Sequence, residues 1–589
     1  GFAFAFILQK YTDPFQTAGI IVLLNFLSAT GISSLYRMNL LKIICLTFSG
    51  LLIFSFFYPE TGIYAILNNK TLMKQWKTKV QPSYFINTHY GNITVLKYKG
   101  EFSFMVDGCL LLTLPHPDIE WIENFSHFPL LYAEKTNNIL IIGGGTKGVI
   151  SEILKYDPVS IDCVEINPEL TKVIQKYGIS YLPEYNNKKV HFIIDDPLNF
   201  LRNSEKCWDV ILLDAGFPFS LKTARFYTEE FYTLVKAHLN PGGIFYTGLE
   251  GSPEYMDQPL AEVNRIIYET LSRVFPVVNI ICDYFTGYCA ANQKDAPAFS
   301  PEFFKSKIQE KNITTKVLSD FYIMDKLDEG KKRNFFRMIM PFENSINTFY
   351  RPVITIPALK HWFSLSSSGI GQANVKSFIK VLSVVGIFLF LAGIANLLKT
   401  SNQKIKVLQI TILSTGLLSI AWELVYFFVF QMGFGSVYFY LSILTGLFMG
   451  GLTAGSIIFS FNSYRIKNPE KLLLAWQMIQ AIFSALSIAL IFLFSKTQIP
   501  MVVFFVLMAM LGFFSGWEFP LVNKIHLEKD GSFQNSISRF YFYDLAGAGI
   551  GSIITTTILV PFLGLFISTL LFFIIRASVG LLVKRYVYT

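Results

Sequence analysis

ILIIGGGTKG at 139–148 decides the fold of this chain. An apolar strand ends at Ile142, a glycine turn follows, and Gly148 opens the next helix. Glycine tolerates φ > 0 and lets a ligand lie against the backbone, so Gly143, Gly144 and Gly145 read as a binding turn. The same alternation repeats outward: SIDCVEIN (160–167), a helix over 168–177, KVHFIID (189–195), a helix over 197–203, WDVILLDAG (208–216), a helix over 228–238, and GGIFYTG (242–248). Short apolar strands alternating with helices predict a parallel doubly wound sheet of Rossmann-like, methyltransferase type, which binds ligands at the carboxyl ends of its strands. Upstream, a helix is expected near 118–133. Before it, YFINTHYGNITVLKYKGEFSFMVDG (84–108) alternates apolar and polar residues around Gly91 and Gly100, which predicts a small β region.

The flanks are of another kind. The chain is 52% hydrophobic and 15% charged, with mean hydropathy +0.43, whereas soluble domains carry about 25% charged residues. Runs of ~20 apolar residues, enough to cross ~30 Å of hydrocarbon, fall near 17–35, 39–58, 377–398, 407–430, 436–460, 472–495, 499–519, 544–564 and 565–583, with a stub at 1–8. The expected domains are 1–58, the end of a first α-helical multi-span membrane module; 59–293, the α/β domain; 294–375, a linker or extension; and 376–589, a second module of about seven helices. A lipid bilayer is the expected partner. Net charge is +9, but no basic stripe marks the soluble part, so no nucleic acid is expected. The oligomeric state is left open.

Apolar runs broken by Pro14-Phe15 and Pro561-Phe562 echo each other, as in repeat-built modules. Glycines in TGLFMGGLTAG (445–455) and AGAGIGS (546–552) are expected to let helix backbones approach. Glu423 and Glu518 lie within spans, where a carboxylate signals either function or a structural pair; Arg576 is expected to snorkel from a helix end. The cysteines show no CxxC spacing, so no metal is expected.

Three acids stand at successive strand ends. Glu165 follows the glycine turn by about 20 residues, where an acid bonds ribose hydroxyls. Asp196 could accept from an adenine amino group, and Asp214 ends the strand in LLDAG. Each has a plainer alternative as a helix cap or loop acid; together they favour an adenosine-type site.

With these motifs in place, residues 80–293 resemble spermidine synthase. The likeness is carried by HYGNITVLKYKGEFSFMVDG, WIENFSHFPLL, LIIGGGTKGVISEIL, CVEINPEL, IIDDPLNFL, WDVILLDAG, FYTEEFY and LNPGGIFYTG in order. The embedding between hydrophobic modules, and NTFYRPVITIPALKHWF (347–363), are similar to membrane-fused members of that family. The resemblance implies aminopropyl or related group transfer from an S-adenosyl-type donor, with decarboxylated S-adenosylmethionine or a methylthioadenosine-like nucleoside as ligand and no metal. It casts Glu165 as the ribose acid, Asp196 as the adenine-site acid and Asp214 as the catalytic acceptor of the amine proton.

The amine pocket departs from the family pattern. The acid of GGGDGG is Thr146, followed by Lys147; the second acid of DSSDP is Phe217. Family glutamines are Leu111 and Gly248, and the helix-motif histidine is Ile122, although Glu123 fits. Transfer to a divergent acceptor, a non-catalytic domain that binds a nucleoside or a partner, and a membrane carrier with a capture domain are the three functions to separate.

Short-loop basic residues mark the cytoplasmic side. One set of loops carries Lys399, Lys404, Lys406, Arg465, Lys467 and Lys471 among others. The set sharing a side with the soluble domain carries only Lys10 and Lys496. That count favours a domain outside the cytoplasm, where Cys282 and Cys289 either bridge across a hairpin or stay reduced beside the sheet; the cytosolic supply of S-adenosylmethionine derivatives favours the reverse side.

Overall fold

The computed structural model describes residues 14–35, 38–57, 67, 82–88, 90–342, 345–365, 402–435, 438–494, 500–530 and 533–588. The stub at 1–8 and the span expected at 377–398 lie outside these residues.

In the soluble part, four antiparallel strands come first: β1 (Pro82–Thr88), β2 (Gly91–Tyr98), β3 (Glu101–Val106) and β4 (Cys109–Leu114). Helix α1 (Ile119–Tyr132) follows, started by Asp118, whose carboxylate accepts from Trp121 N–H. The main sheet contains β5 (Asn138–Gly143), β6 (Ser160–Glu165), β7 (Val190–Ile194), β8 (Trp208–Asp214), β9 (Leu239–Glu250), β10 (Val277–Ile281) and β11 (Phe285–Ala291), in the order β10-β11-β9-β8-β5-β6-β7. β7, β6, β5, β8 and β9 run parallel; β10 and β11 are antiparallel additions. β5 therefore has β6 on one side and β8 on the other, and the chain reverses its winding between β5 and β8. That switch point is where doubly wound sheets open a crevice for ligand. Helices α2 (Pro168–Gly178) and α3 (Pro197–Asn203) follow β6 and β7, capped by Asn167 and Asp196.

Residues after 293 coat this domain. Helix α4 (Pro301–Lys311) sends Phe304 against Phe128, with ring centroids 5.2 Å apart. Phe335, Ile339, Phe349, Ile354 and Ala358 are buried in the same core as the sheet. Helix α5 (Thr355–Leu365) ends the described part of this coat.

The expected Cys282–Cys289 bridge is not formed; both thiols are free. The β10/β11 register pairs Cys289 with Asn279 and Ile281 with Gly287. Cys282 thus lies three positions from Cys289's partner, about 10 Å at ~3.3 Å per residue. Side chains alternate along a strand, so the two sulfurs enter different cores on opposite faces of the sheet.

Among the described residues, six helices are long and apolar enough to cross a membrane: Phe15–Ser34, Gln403–Phe434, Tyr440–Arg465, Pro469–Leu493, Met501–Glu528 and Gly564–Tyr588. The most N-terminal helix among the described residues begins at Pro14. The span expected at 499–519 continues to Asp530 with Pro520 inside it. The span expected at 544–564 is instead a helix over Phe533–Ile554 followed by a π-helical segment, Thr555–Leu563, that contains Pro561. Glycines set two tight crossings: a Cβ at Gly451 would collide with the Ala509 carbonyl, and one at Gly547 with that of Leu413. Gly450 and Gly549, by contrast, face open space.

Arg576 does not snorkel. It is 4% exposed and its Nη1 lies 3.4 Å from Glu518 Oε2 and 3.2 Å from Gln477 Oε1. Gln477 and Gln480 each donate to Glu518 at 2.5 Å. The arginine sits seven residues before the end of its helix, at a depth where pairing inside the bundle is the available way to offset desolvation.

The α/β domain rests on one end of this helical module. Arg202 donates to the Gly433 carbonyl at the C-terminus of the Gln403–Phe434 helix, and the Leu565 N–H donates to the Tyr350 carbonyl at 3.0 Å. Lys404, Arg465, Lys524 and Lys584 belong to the opposite end, by the alternation of the helices.

Glu518→Ala leaves Arg576 buried without a carboxylate and is expected to lower stability by about 3–5 kcal/mol. The paired change Glu518→Leu with Arg576→Met should lose much less. Unfolding of the full chain in detergent, followed by tryptophan fluorescence, measures both; equal losses would show that the pair is not coupled.

Candidate active site at the β5/β8 crevice

The glycine turn is shaped by its neighbour strand. Gly143 has φ +68 and Gly144 φ +58, and a Cβ at Gly143 would collide with the Asp214 carbonyl. A Cβ at Gly144 would come 3.0 Å from the Asp214 Cβ, and one at Gly145 3.3 Å from Cys163. Only glycine allows the β5 and β8 ends to close this tightly. Tyr185, which the sequence did not single out, fastens the turn from outside by donating to the Gly145 carbonyl at 2.9 Å.

Glu165 ends β6 beside this turn. Its Oε1 accepts from the Asn167 N–H at 2.9 Å. Burial pushes its carboxyl pKa up, and the nearby Asp214 charge adds to the rise. Asn167 reaches back to Thr88 at 3.1 Å, which ties the β region to the rim of the crevice.

Asp196 is buried and engaged. It accepts from the Leu198 N–H at 3.1 Å as a helix N-cap and from Arg225 through two bonds, 3.1 and 2.5 Å. Gly435, just past the end of the Gln403–Phe434 helix, packs directly on this carboxylate. Its carboxylate therefore faces protein on two sides.

Asp214 is paired as well. Lys147 Nζ lies 2.6 Å from Asp214 Oδ2, and their side chains are 24% and 8% exposed. The same ammonium stands 4.7 Å from the centre of the Trp121 ring, a cation–π contact. Trp121 stacks on Phe125 at 4.8 Å and meets Phe285 edge-on at 6.2 Å. The Phe285 ring fills the space that a side chain at position 248 would enter. Gly248 and Phe285 are thus one exchange: the side chain missing from β9 is replaced by a ring from β11.

Phe217 points to the coat rather than to open space. Its ring lies 5.4 Å from that of His361 on α5. His361 Nδ1 lies 3.0 Å from Asp257 and its Nε2 3.3 Å from Glu250, while Trp362 packs beside Phe219 at 6.1 Å. Helix α5 therefore covers the carboxyl ends of β8 and β9.

Glu123, which fits the family's helix motif, turns away from the crevice. It accepts from the N–H groups of Lys316, Val317 and Leu318 at 2.6, 2.8 and 3.1 Å. With His127 and Glu152 it forms a buried group whose ligand atoms lie within 4.8 Å of one another. These donors already have protein partners, including Tyr156 at 2.8 Å from His127 and Lys155 on Glu152. The group acts as an internal anchor for 316–318.

A doubly wound sheet with a glycine turn and two strand-end acids, Glu165 and Asp214, at its switch point has the layout of a ligand-binding α/β domain. The profile of the Spermine/spermidine synthase domain matches residues 121–295. A polyamine aminopropyltransferase from Prochlorococcus marinus (strain MIT 9215) is 31% identical over 212 residues, covering 36% of this chain and 69% of the relative. One from Clostridium botulinum (strain Eklund 17B / Type B) is 25% identical over 265 residues, covering 42% of this chain and 92% of the relative. The chain belongs to the polyamine aminopropyltransferase, or spermidine synthase, family. Among solved structures, a spermidine synthase in complex with the transition state analogue AdoDATO aligns at TM-score 0.38 and 19% identity, over 44% of this chain and 89% of that one.

Proposed function

We propose that this chain is a membrane-embedded member of the family whose soluble domain binds an S-adenosyl-type nucleoside, decarboxylated S-adenosylmethionine or methylthioadenosine. In this reading Gly143, Gly144 and Gly145 give the nucleoside a backbone surface and Glu165 receives its ribose hydroxyls. Asp196 fixes the adenine side through its cap and its Arg225 pair. Asp214 is the catalytic base. The carrying observation is the Lys147–Asp214 contact at 2.6 Å, which sets a protein ammonium where a diamine's attacking nitrogen would meet that base. Thr146 and Phe217 stand where the family holds amines with acids, and Phe285 fills part of the cleft. A dication entering here meets a like charge with fewer carboxylates to offset its desolvation. The same contact favours a second reading, a nucleoside-binding domain that performs no transfer to a free amine.

The nucleoside half is tested by titrating methylthioadenosine into the full chain in detergent. Saturable heat is expected, weakened by Glu165→Ala; absence of binding, or equal binding by both forms, removes it. The amine half is tested with decarboxylated S-adenosylmethionine and putrescine. Turnover is expected far below the ~10 per second of a median enzyme, and Thr146→Asp with Lys147→Gly should raise it. A wild-type rate near that median would mean that the pocket still admits diamines.

The charge distribution among the short loops supports placing the α/β domain on the non-cytoplasmic face. Cys109, exposed in β4, is then expected to react with a membrane-impermeant maleimide applied to intact cells, and Cys109→Ser to lose that label. Labelling only after permeabilisation would reverse the orientation.

A further inference from the structure

We infer that Lys147 is itself an aminopropyl acceptor: its Nζ, 2.6 Å from Asp214 Oδ2 and over the Trp121 ring, is the amine that the site can alkylate. The inference rests on the nucleoside reading above, because it needs the donor in the β5/β8 crevice. Lys147 belongs to the glycine turn that would carry the donor, so acceptor and donor share one loop. Its ammonium is held from two directions, by the carboxylate and by the indole face, and the indole is itself fixed by Phe125 and Phe285. A lysine Nζ is a primary amine on a methylene chain, the same nucleophile as the end of a diamine. Lys222, another cation of this region, instead donates to the Tyr90 carbonyl at 3.2 Å.

The step balances with the sulfonium donor as sole co-reactant. One Nζ proton passes to Asp214 Oδ2. The freed lone pair attacks the propyl carbon bonded to sulfur, forming C–N as C–S breaks. Sulfur keeps the bonding pair, and neutral methylthioadenosine leaves. Lys147 becomes a secondary ammonium that carries the donor's own terminal ammonium on a three-carbon arm. The reaction is stoichiometric, because the acceptor is part of the protein.

The test incubates the full chain in detergent with decarboxylated S-adenosylmethionine and reads the protein by intact mass and peptide sequencing. The expected result is the mass of one aminopropyl group added at Lys147, with one methylthioadenosine released per chain. Asp214→Asn should slow adduct formation by roughly 10²-fold or more, the usual scale of a general base. Lys147→Arg keeps a cation beside Asp214 but supplies no nucleophile, since guanidinium stays protonated, and should give no adduct. An unmodified Lys147 in protein that binds methylthioadenosine overturns the inference and leaves the nucleoside reading standing. So does a mass gain that persists in Lys147→Arg, which would be non-specific alkylation. Failure to bind methylthioadenosine removes both.

Discussion

The closure of β5 against β8 governs the rest of the site. Gly143 has no room for a Cβ against the Asp214 carbonyl, and Gly144 has little against its side chain. That approach sets Asp214 beside the turn that carries Lys147, within reach of its ammonium. Lys147 in turn lies against Trp121, which meets the Phe285 ring that fills the space beside Gly248. A side chain at 143 would force the strand ends apart and break this sequence of contacts at its start.

Charge is handled in the same way in both halves of the chain. Asp196 with Arg225 in the α/β domain, and Glu518 with Arg576 among the helices, are buried pairs whose remaining bonds go to other protein groups. Such pairs seldom add net stability, because desolvation cancels much of the attraction, but removing one partner is costly. They therefore fix geometry: each holds two elements in a single relative position. Lys147–Asp214 differs in being partly exposed on the lysine side, so its Nζ is the member of these pairs that a small molecule could meet.

Fold and glycine turn were legible because they follow local rules. Short apolar strands, a cap alternative such as that of Asp196, and a glycine turn announce themselves within a few residues. What the sequence could not show was partnership. Arg225 lies 29 residues from Asp196 and Lys147 lies 67 from Asp214, and nothing local couples them. The sequence offers Asp196 as a helix cap, but gives no sign of its arginine. Glu123 matched a motif and still faces the 316–318 backbone, because those amides come from a segment nearly 200 residues away. Arg576 was misplaced for a similar reason: an arginine near an apolar helix end looks like a snorkelling one until its acid partner on another helix is known. The cysteine hairpin failed on parity, since a register offset of one residue sends a side chain to the other face.

The position of the helical module gives the α/β site a physical link to the apolar helices. The Gln403–Phe434 helix ends at Gly433 and Phe434, where its last carbonyls carry partial negative charge and lack intrahelical donors. Arg202, from the helix capped by Asp196, supplies such a donor, and Gly435 turns over the Asp196 carboxylate at φ +88. A larger residue at 435 would collide with that carboxylate, so the helix end must stay small to approach it. The same helix contributes Thr415, 3.4 Å from Arg576 in the buried network. One helix, with the glycine that follows it, therefore touches both Asp196 and the charged centre of the bundle. A displacement along its axis would reach Asp196 directly, whereas Asn167, next to Glu165 at the rim of the crevice, is tied to Thr88 of the β region.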